Sequence, residues 1–249
     1  MLLSVAAGIS LGILQMAPQI YSYLLQQKDF QIFIDQLNNL PKKESLKSTF
    51  FWLSDAEIRT LASRKSNTQK LNFLISRYVI KRVVSEKLNL KIATLTVERN
   101  EELELMQVLY LGKALPLSLS LSHSNDKVLV SLLFGFINSK LGVDVEKINS
   151  KRNTLAIAES YFHEDEFEKI TLSNDSVLAF YQQWTKKEAL VKALPRKSFS
   201  KLSIQSLLVL KKFGLCSQFL SHDGFQMCII APKESGLVSI CIYPAYEQL

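Results

Sequence analysis

The chain has 249 residues, of which 47% are hydrophobic and 21% charged, an ordinary globular balance with length for one large domain or two small ones. Lys plus Arg number 30 against 23 Asp plus Glu, so the net charge of +7 favours an anionic partner such as nucleic acid, a membrane surface, a phosphorylated cofactor or an acidic protein. No Cys-x-x-Cys, zinc-ligand spacing, GxxxxGK[ST] loop or internal repeat occurs, which excludes the commoner motif-defined classes.

In chain order, Met1 to Gln27 carries no charge and the first Lys is Lys28, so the positive start of a secretory signal is missing. Gln15, Pro18 and Gln19 interrupt its apolar run too early for a membrane span. A buried strand or helix is expected there, with a peripheral membrane contact as the alternative. Next, Ser66 or Asn67 can cap a helix whose apolar stripe is Leu71, Leu74, Ile75, Tyr78, Val79 and Val83. Leu117, Leu119 and Leu121 alternate with Ser118, Ser120 and Ser122, and a Ser124-Asn-Asp turn leads into an apolar run from Val128 to Ile137, which predicts a hairpin. Asn138-Ser139-Lys140 reads as a hinge. Beyond it the pattern predicts a polar loop, one acidic helix around Glu159 to Ile170, a long helix bearing Glu188, and late strands from Phe225 to Ala231 and Leu237 to Tyr243. Cys216, Cys228 and Cys241, an odd set in or near apolar runs, are expected to be reduced in a cytosolic protein.

Two segments carry chemistry. In Leu141-Gly-Val-Asp144-Val-Glu146 the apolar residues alternate with Gly142, Asp144 and Glu146, so a strand would aim both carboxylates from one face, roughly 7 Å apart. In Trp184-Thr-Lys-Lys187-Glu188-Ala-Leu-Val-Lys192 the spacing of four aligns Trp184, Glu188 and Lys192 along one side of a helix. Three hard carboxylates without histidine or cysteine suit Mg2+ and, with it, phosphate chemistry. Taken singly, an Asp-x-Glu strand is more often a solvated face than a metal site, and a Glu/Lys pair at helical spacing is usually a surface ion pair.

Together the segments resemble the signature of the Sfp-type 4′-phosphopantetheinyl transferases, a Gly-hydrophobic-Asp-hydrophobic-Glu strand followed some forty residues later by Trp-x-x-Lys-Glu-x-x-x-Lys. Phe73-Leu-Ile-Ser-Arg77 is similar to the family's Phe-Leu-Ala-Gly-Arg helix, with Ser76 in place of glycine, and Ser122-His123-Ser124 matches its Ser-His-Ser. Gly112-Lys113 stands where relatives have Gly-Lys-Pro, with Ala114 replacing the proline. Glu166 falls at a family Phe-x-x-x-Glu position, unless it belongs to an ordinary exposed acidic face.

The resemblance implies an α+β fold of two similar subdomains with pseudo-twofold symmetry, here 1–138 and 139–249, and coenzyme A held between them. It implies transfer of the 4′-phosphopantetheine arm to a serine of an acidic apo carrier protein, with release of adenosine 3′,5′-bisphosphate. Asp144, Glu146 and Glu188 would hold Mg2+. Glu188 or Glu146 would take the serine proton, and Lys192 would stabilise the departing phosphate. His123, Ser122 and Lys113 would bind CoA, with Arg64, Lys65 and Lys70 as candidates for its 3′-phosphate. Trp184 would anchor its helix. A cytoplasmic monomer without a nucleic-acid partner is expected. The alternatives are a catalytically silent relative that binds CoA or a carrier protein, and a nucleic-acid-binding module suggested by net charge alone.

Overall fold

The computed structural model describes residues 12, 18–39, 46–135, 140–194, 205–236 and 239–242. Its longest helix begins at Ser66, whose hydroxyl accepts from Gln69 N while the Gln69 side chain reaches back to the Ser66 N–H. This reciprocal cap satisfies two otherwise unpaired N–H groups. The helix ends at Asn89, which takes up a left-handed conformation (φ 52°) and closes the last turn onto Ser85 O.

The strands are β1 (Gln19–Gln26), β2 (Leu95–Asn100), β3 (Leu105–Tyr110), β4 (Lys113–Ala114), β5 (Ser118–Ser124), β6 (Lys127–Phe134), β7 (Gly142–Lys147), β8 (Leu215–His222), β9 (Phe225–Pro232) and β10 (Ser239–Ile242). The helices are α1 (Gln31–Asn38), α2 (Leu46–Thr49), α3 (Asp55–Ser63), α4 (Asn67–Leu88), α5 (Thr154–Tyr161), α6 (Glu164–Thr171), α7 (Ser176–Ala193) and α8 (Ser206–Lys212).

One winding occurs twice. A strand, then helices that include a long one (α4 or α7), and later an antiparallel hairpin whose second strand returns beside the first, give the orders β1-β6-β5 and β7-β9-β8; β2-β3-β4 intervene in the first half and α8 in the second. Both hairpin turns use residues that tolerate left-handed backbone, Asn125 (φ 52°) in one and Asp223 and Gly224 (φ 51° and 72°) in the other. The two α+β halves are thus topological repeats. β10 adds to the first sheet by pairing parallel with β1, and β2-β3-β4 form a small separate sheet.

The period-2 alternation divides the core. Val128, Val130, Leu132 and Phe134 of β6 face α4 and the aromatic cluster of Phe33, Phe50 and Trp52. Leu129 and Leu133, with Ile20 and Leu24 of β1, instead meet Val143 and Val145 of β7 and Met227 and Ile229 of β9. That shared layer welds the halves.

Several sequence expectations need correction. The single acidic helix is two, α5 and α6, because His163 caps the second: its ring accepts from Asp165 N, and Glu166 bonds back to His163 N. The antiparallel partner of β9 is β8, which the sequence reading did not pick out, whereas the strand near Leu237–Tyr243 is β10 and joins the other sheet. In the N-terminal stretch, β1 is the expected buried strand; most residues before it lie outside the described residues, as do Asn138 and Ser139 of the expected hinge. Among the described residues no helix is long and apolar enough to cross a membrane.

Candidate active site

β7 and α7 meet without an intervening side chain. A Cβ on Gly142 would lie 1.9 Å from Ala189 O and 2.7 Å from Ala193 N, so glycine is what lets the helix rest on the strand backbone. This contact sets Glu188 and Lys192 of the helix against Asp144 and Glu146 of the strand. Lys192 Nζ lies 2.8 Å from Asp144 Oδ1 and 2.9 Å from Ser122 Oγ, and the Ser122 hydroxyl donates to the same carboxylate oxygen at 2.8 Å. The Trp184 indole donates to Glu146 Oε1 at 3.3 Å, and Ser124 donates to Oε2 at 3.2 Å. Trp184 itself stacks on Phe180 and is faced by Arg152. It therefore anchors the helix, as expected, and also orients an acid.

The serines that alternate along β5 form the joint between the halves. Ser120 Oγ accepts from Val143 N and Ser124 Oγ from Lys147 N, each at 3.1 Å. Side-chain oxygens thereby satisfy N–H groups on the edge of β7 that, among the described residues, no strand pairs. Ser122 is buried within this joint, its hydroxyl engaged by Asp144 and Lys192.

A cavity of about 510 Å3 opens between the halves. Its wall includes Arg64, Phe73, Arg77 and His123 from the first half, Arg99 and Met106 from the small sheet, and Glu188, Val191 and Lys192 from α7. Four of the residues expected from the sequence, Arg64, His123, Glu188 and Lys192, therefore meet on one cavity. Lys65 and Lys113 are exposed and Lys70 half-buried, and none of the three belongs to its wall. Arg77, Arg99 and Met106 were not singled out; Arg77 was visible as the last residue of the Phe73 motif.

Burial raises the Asp144 carboxyl, and the Lys192 charge and the hydrogen bonds from Lys192 and Ser122 offset this only in part. Burial and then the Asp144 charge raise Glu146, against hydrogen bonds from Trp184 and Ser124. Glu188 is raised by burial and by Asp144, with Lys192 opposing and Glu146 adding. The three acids therefore act on one another as like charges. Asp144 Oδ2 is buried and has no hydrogen-bond partner. Mutually repelling hard oxygens and an orphaned buried one fit a divalent cation such as Mg2+. Among the described residues, however, no three His, Cys, Asp or Glu side chains already enclose an ion site.

A second buried pair supports α7. Lys187 Nζ sits 2.6 Å from Glu166 Oε2, and Glu166 Oε1 accepts Ser206 N at 2.8 Å, which ties α6, α7 and α8 together. Burial works to raise the Glu166 carboxyl, yet the hydrogen bonds from Lys187 and Ser206 and the Lys187 charge hold it below its ordinary value. The exposed acidic face considered for Glu166 is thus replaced by a buried ion pair.

No curated protein matches the chain. Residues 140–230, which run from just before β7 into β9, match the family model of the 4′-phosphopantetheinyl transferase superfamily. That stretch contains Asp144, Glu146, Glu188 and Lys192, the acids and the lysine that meet where β7 and α7 touch.

Proposed function

We propose that the chain is an Sfp-type enzyme that transfers the 4′-phosphopantetheine group of coenzyme A to a serine of an acidic apo carrier protein in the cytoplasm, releasing adenosine 3′,5′-bisphosphate. The observation that carries this reading is the convergence of Arg64, His123, Glu188 and Lys192, from both halves, on one cavity beside the Asp144–Lys192 pair. Residues 1–138 would supply most of the CoA-facing wall, and residues 139–249 the acids and Lys192.

Asp144, Glu146 and Glu188 would hold Mg2+, which when bound supplies charge neutralisation at the pyrophosphate. The remaining work falls to the chain. Glu188 lines the cavity and its carboxyl is raised by burial and by Asp144, so it is suited to accept the serine proton as the hydroxyl attacks the β-phosphorus of CoA. Glu146 is held at both oxygens by Trp184 and Ser124, which favours a fixed positioning role over proton transfer. Lys192, held by Asp144 and Ser122, presents a cation to the leaving phosphate without further reorganisation. His123, exposed on the wall, offers a ring N–H to a CoA phosphate.

The test is to incubate the protein with CoA, Mg2+ and a panel of apo carrier proteins and to look for the phosphopantetheine adduct by intact-mass spectrometry. An adduct on at least one carrier supports the reading. CoA binding with no adduct on any carrier would favour the silent relative.

A further inference from the structure

The loop from the end of β7 to the start of α5 has a pinned backbone. Ile148 N donates to Gly224 O at 2.9 Å, and Asn149 N donates at 3.1 Å to the hydroxyl of Tyr181, a buried residue of α7. Lys151 N donates to Asn149 Oδ1 at 3.0 Å and Arg152 N to Asn149 O at 3.2 Å, while Asn153 caps α5 through Ala156 N. The loop is tied to the β8–β9 turn, to α7 and to itself. Arg152 is therefore presented from a backbone that is fixed against α7.

Its half-buried side chain reaches the aromatic stack of α7. The guanidinium lies 5.1 Å from the centre of the Trp184 ring and 5.7 Å from that of Phe180, and the two ring centres are themselves 5.8 Å apart with 24° between their planes. It thus bridges the two rings, a contact for which arginine's planar, weakly hydrated cation is well suited. Another cation, Lys187, stands 5.2 Å from the Phe162 ring, but its charge is met by Glu166 at 2.6 Å. The acid on which Arg152 acts is Glu146. Burial and the Asp144 charge raise the Glu146 carboxyl, against the hydrogen bonds from Trp184 and Ser124 and the charge of Arg152. Trp184 connects the two residues physically, because its indole N–H donates to Glu146 Oε1 at 3.3 Å. Whatever fixes the indole plane therefore fixes that oxygen.

We propose that Arg152 is a positioning residue: it clamps the Trp184 indole against Phe180 and, through the indole N–H, holds the Glu146 carboxylate in place. The assignment rests on the transfer reading for the reaction that Glu146 serves. Arg152 does not belong to the cavity wall, so its loss bears on the rate of transfer and leaves CoA binding intact.

Initial rates of transfer are compared for wild type, Arg152→Gln, Arg152→Lys, Trp184→Phe and the double variant of Arg152→Gln with Trp184→Phe, with thermal melts to confirm folding. Phenylalanine keeps a ring in the stack and removes the N–H donor. Arg152→Gln should lower kcat about tenfold, as for loss of a group that orients a ligating carboxylate from behind, with the KM for CoA and for apo carrier within about twofold. Arg152→Lys should fall between, and in the Trp184→Phe background the same glutamine should cost less than about twofold more, since the connection is already cut. A raised carrier KM with kcat unchanged would make Arg152 a docking residue and overturn the proposal, as would losses that multiply in the double variant. A second readout is independent of the reaction. The chain has two tryptophans, so in a Trp52→Phe background the emission is that of Trp184 alone. Glu146→Gln should shift that emission by changing the acceptor of the indole N–H. Arg152→Gln should shift it in the same direction and open the ring to quenching by acrylamide, and unchanged emission and quenching would overturn the clamp. If wild type modifies no carrier yet the emission responds in this way, the clamp on Glu146 stands and only the transfer reading falls.

Discussion

Lys192 Nζ stands 2.8 Å from Asp144 Oδ1, an ion pair formed by residues 48 positions apart on a helix and a strand. The pair brings the two sequence motifs into contact, and Ser122 adds the other half of the molecule to the same point. Asp144 is thus both a candidate metal ligand and the residue that fixes Lys192, the cation proposed to meet the leaving phosphate.

Transfer should require a divalent metal, and Asp144→Ala should lose it almost completely. The substitution removes the orphaned oxygen and releases Lys192 together, so a loss of about a hundredfold or more in kcat/KM is expected. The assay is adduct formation over time with and without chelator. Full activity in excess chelator would sink the metal assignment.

Glu188→Gln should be inactive and yet more resistant to heat than wild type in metal-free buffer. Its folded carboxyl is raised by burial and by the neighbouring acids, so the ionised form destabilises the native state. With a raised folded value, this group's contribution is most favourable below its unfolded pKa and is lost as pH rises through the folded one. Wild-type melting temperature should therefore gain less, or drop, between the ordinary glutamate range and neutrality compared with Glu188→Gln. Parallel pH dependence of the two proteins in thermal melts would show that the repulsion is absent.

Gly142→Ala should cost stability and activity together. Its methyl group would have to displace the backbone of α7, and overpacking of this kind typically costs about 1–3 kcal/mol, occasionally more. Since the helix carries Glu188 and Lys192, kcat should fall while binding of adenosine 3′,5′-bisphosphate, which would also draw on Arg64 and His123 of the other half, is less affected. Denaturant unfolding and calorimetry on one preparation read both effects. Wild-type stability and kcat would contradict the close approach.

With a net charge of +7, the protein should meet an acidic carrier partly through long-range attraction, which is screened within about 8 Å at physiological ionic strength. The KM for apo carrier should climb with salt, and neutralising acidic residues on the carrier should mimic that climb at low salt. CoA affinity is measured separately. A carrier KM that stays flat across the salt range would reassign the basic surface to another partner.

What could be read from the sequence was what repeats along it. The β5–β6 hairpin, the α4 cap at Ser66 and the side of α7 shared by Trp184, Glu188 and Lys192 follow from periods of 2 and 3.6 and from capping chemistry. The residues that escaped notice depend on tertiary neighbours. Arg99 looks like any exposed strand residue until its face is seen to continue from Val97, and Lys187 looks like a surface lysine until Glu166 is found buried beside it. β8 was missed because Leu-Cys-Ser-Gln-Phe-Leu-Ser-His sets its apolar residues in adjacent pairs, leaving a weak period-2 signal. Lys113 carried a motif resemblance, but it is exposed on β4 and does not belong to the cavity wall.

The parallel pairing of β10 with β1 bears on how the molecule is made. During synthesis β1 is made before β10, so the edge of β1 that β10 pairs stays open until residues 239–242 leave the ribosome. Until β7 and β9 arrive, Ile20, Leu24, Leu129 and Leu133 likewise lack their cover. The first half must therefore wait, sticky on one face and open on one edge, for β7, β9 and β10. A nascent-chain series stalled at increasing lengths should show protease resistance of β1 and β6 rising late, after β10 emerges, and chaperone contact should concentrate in that interval.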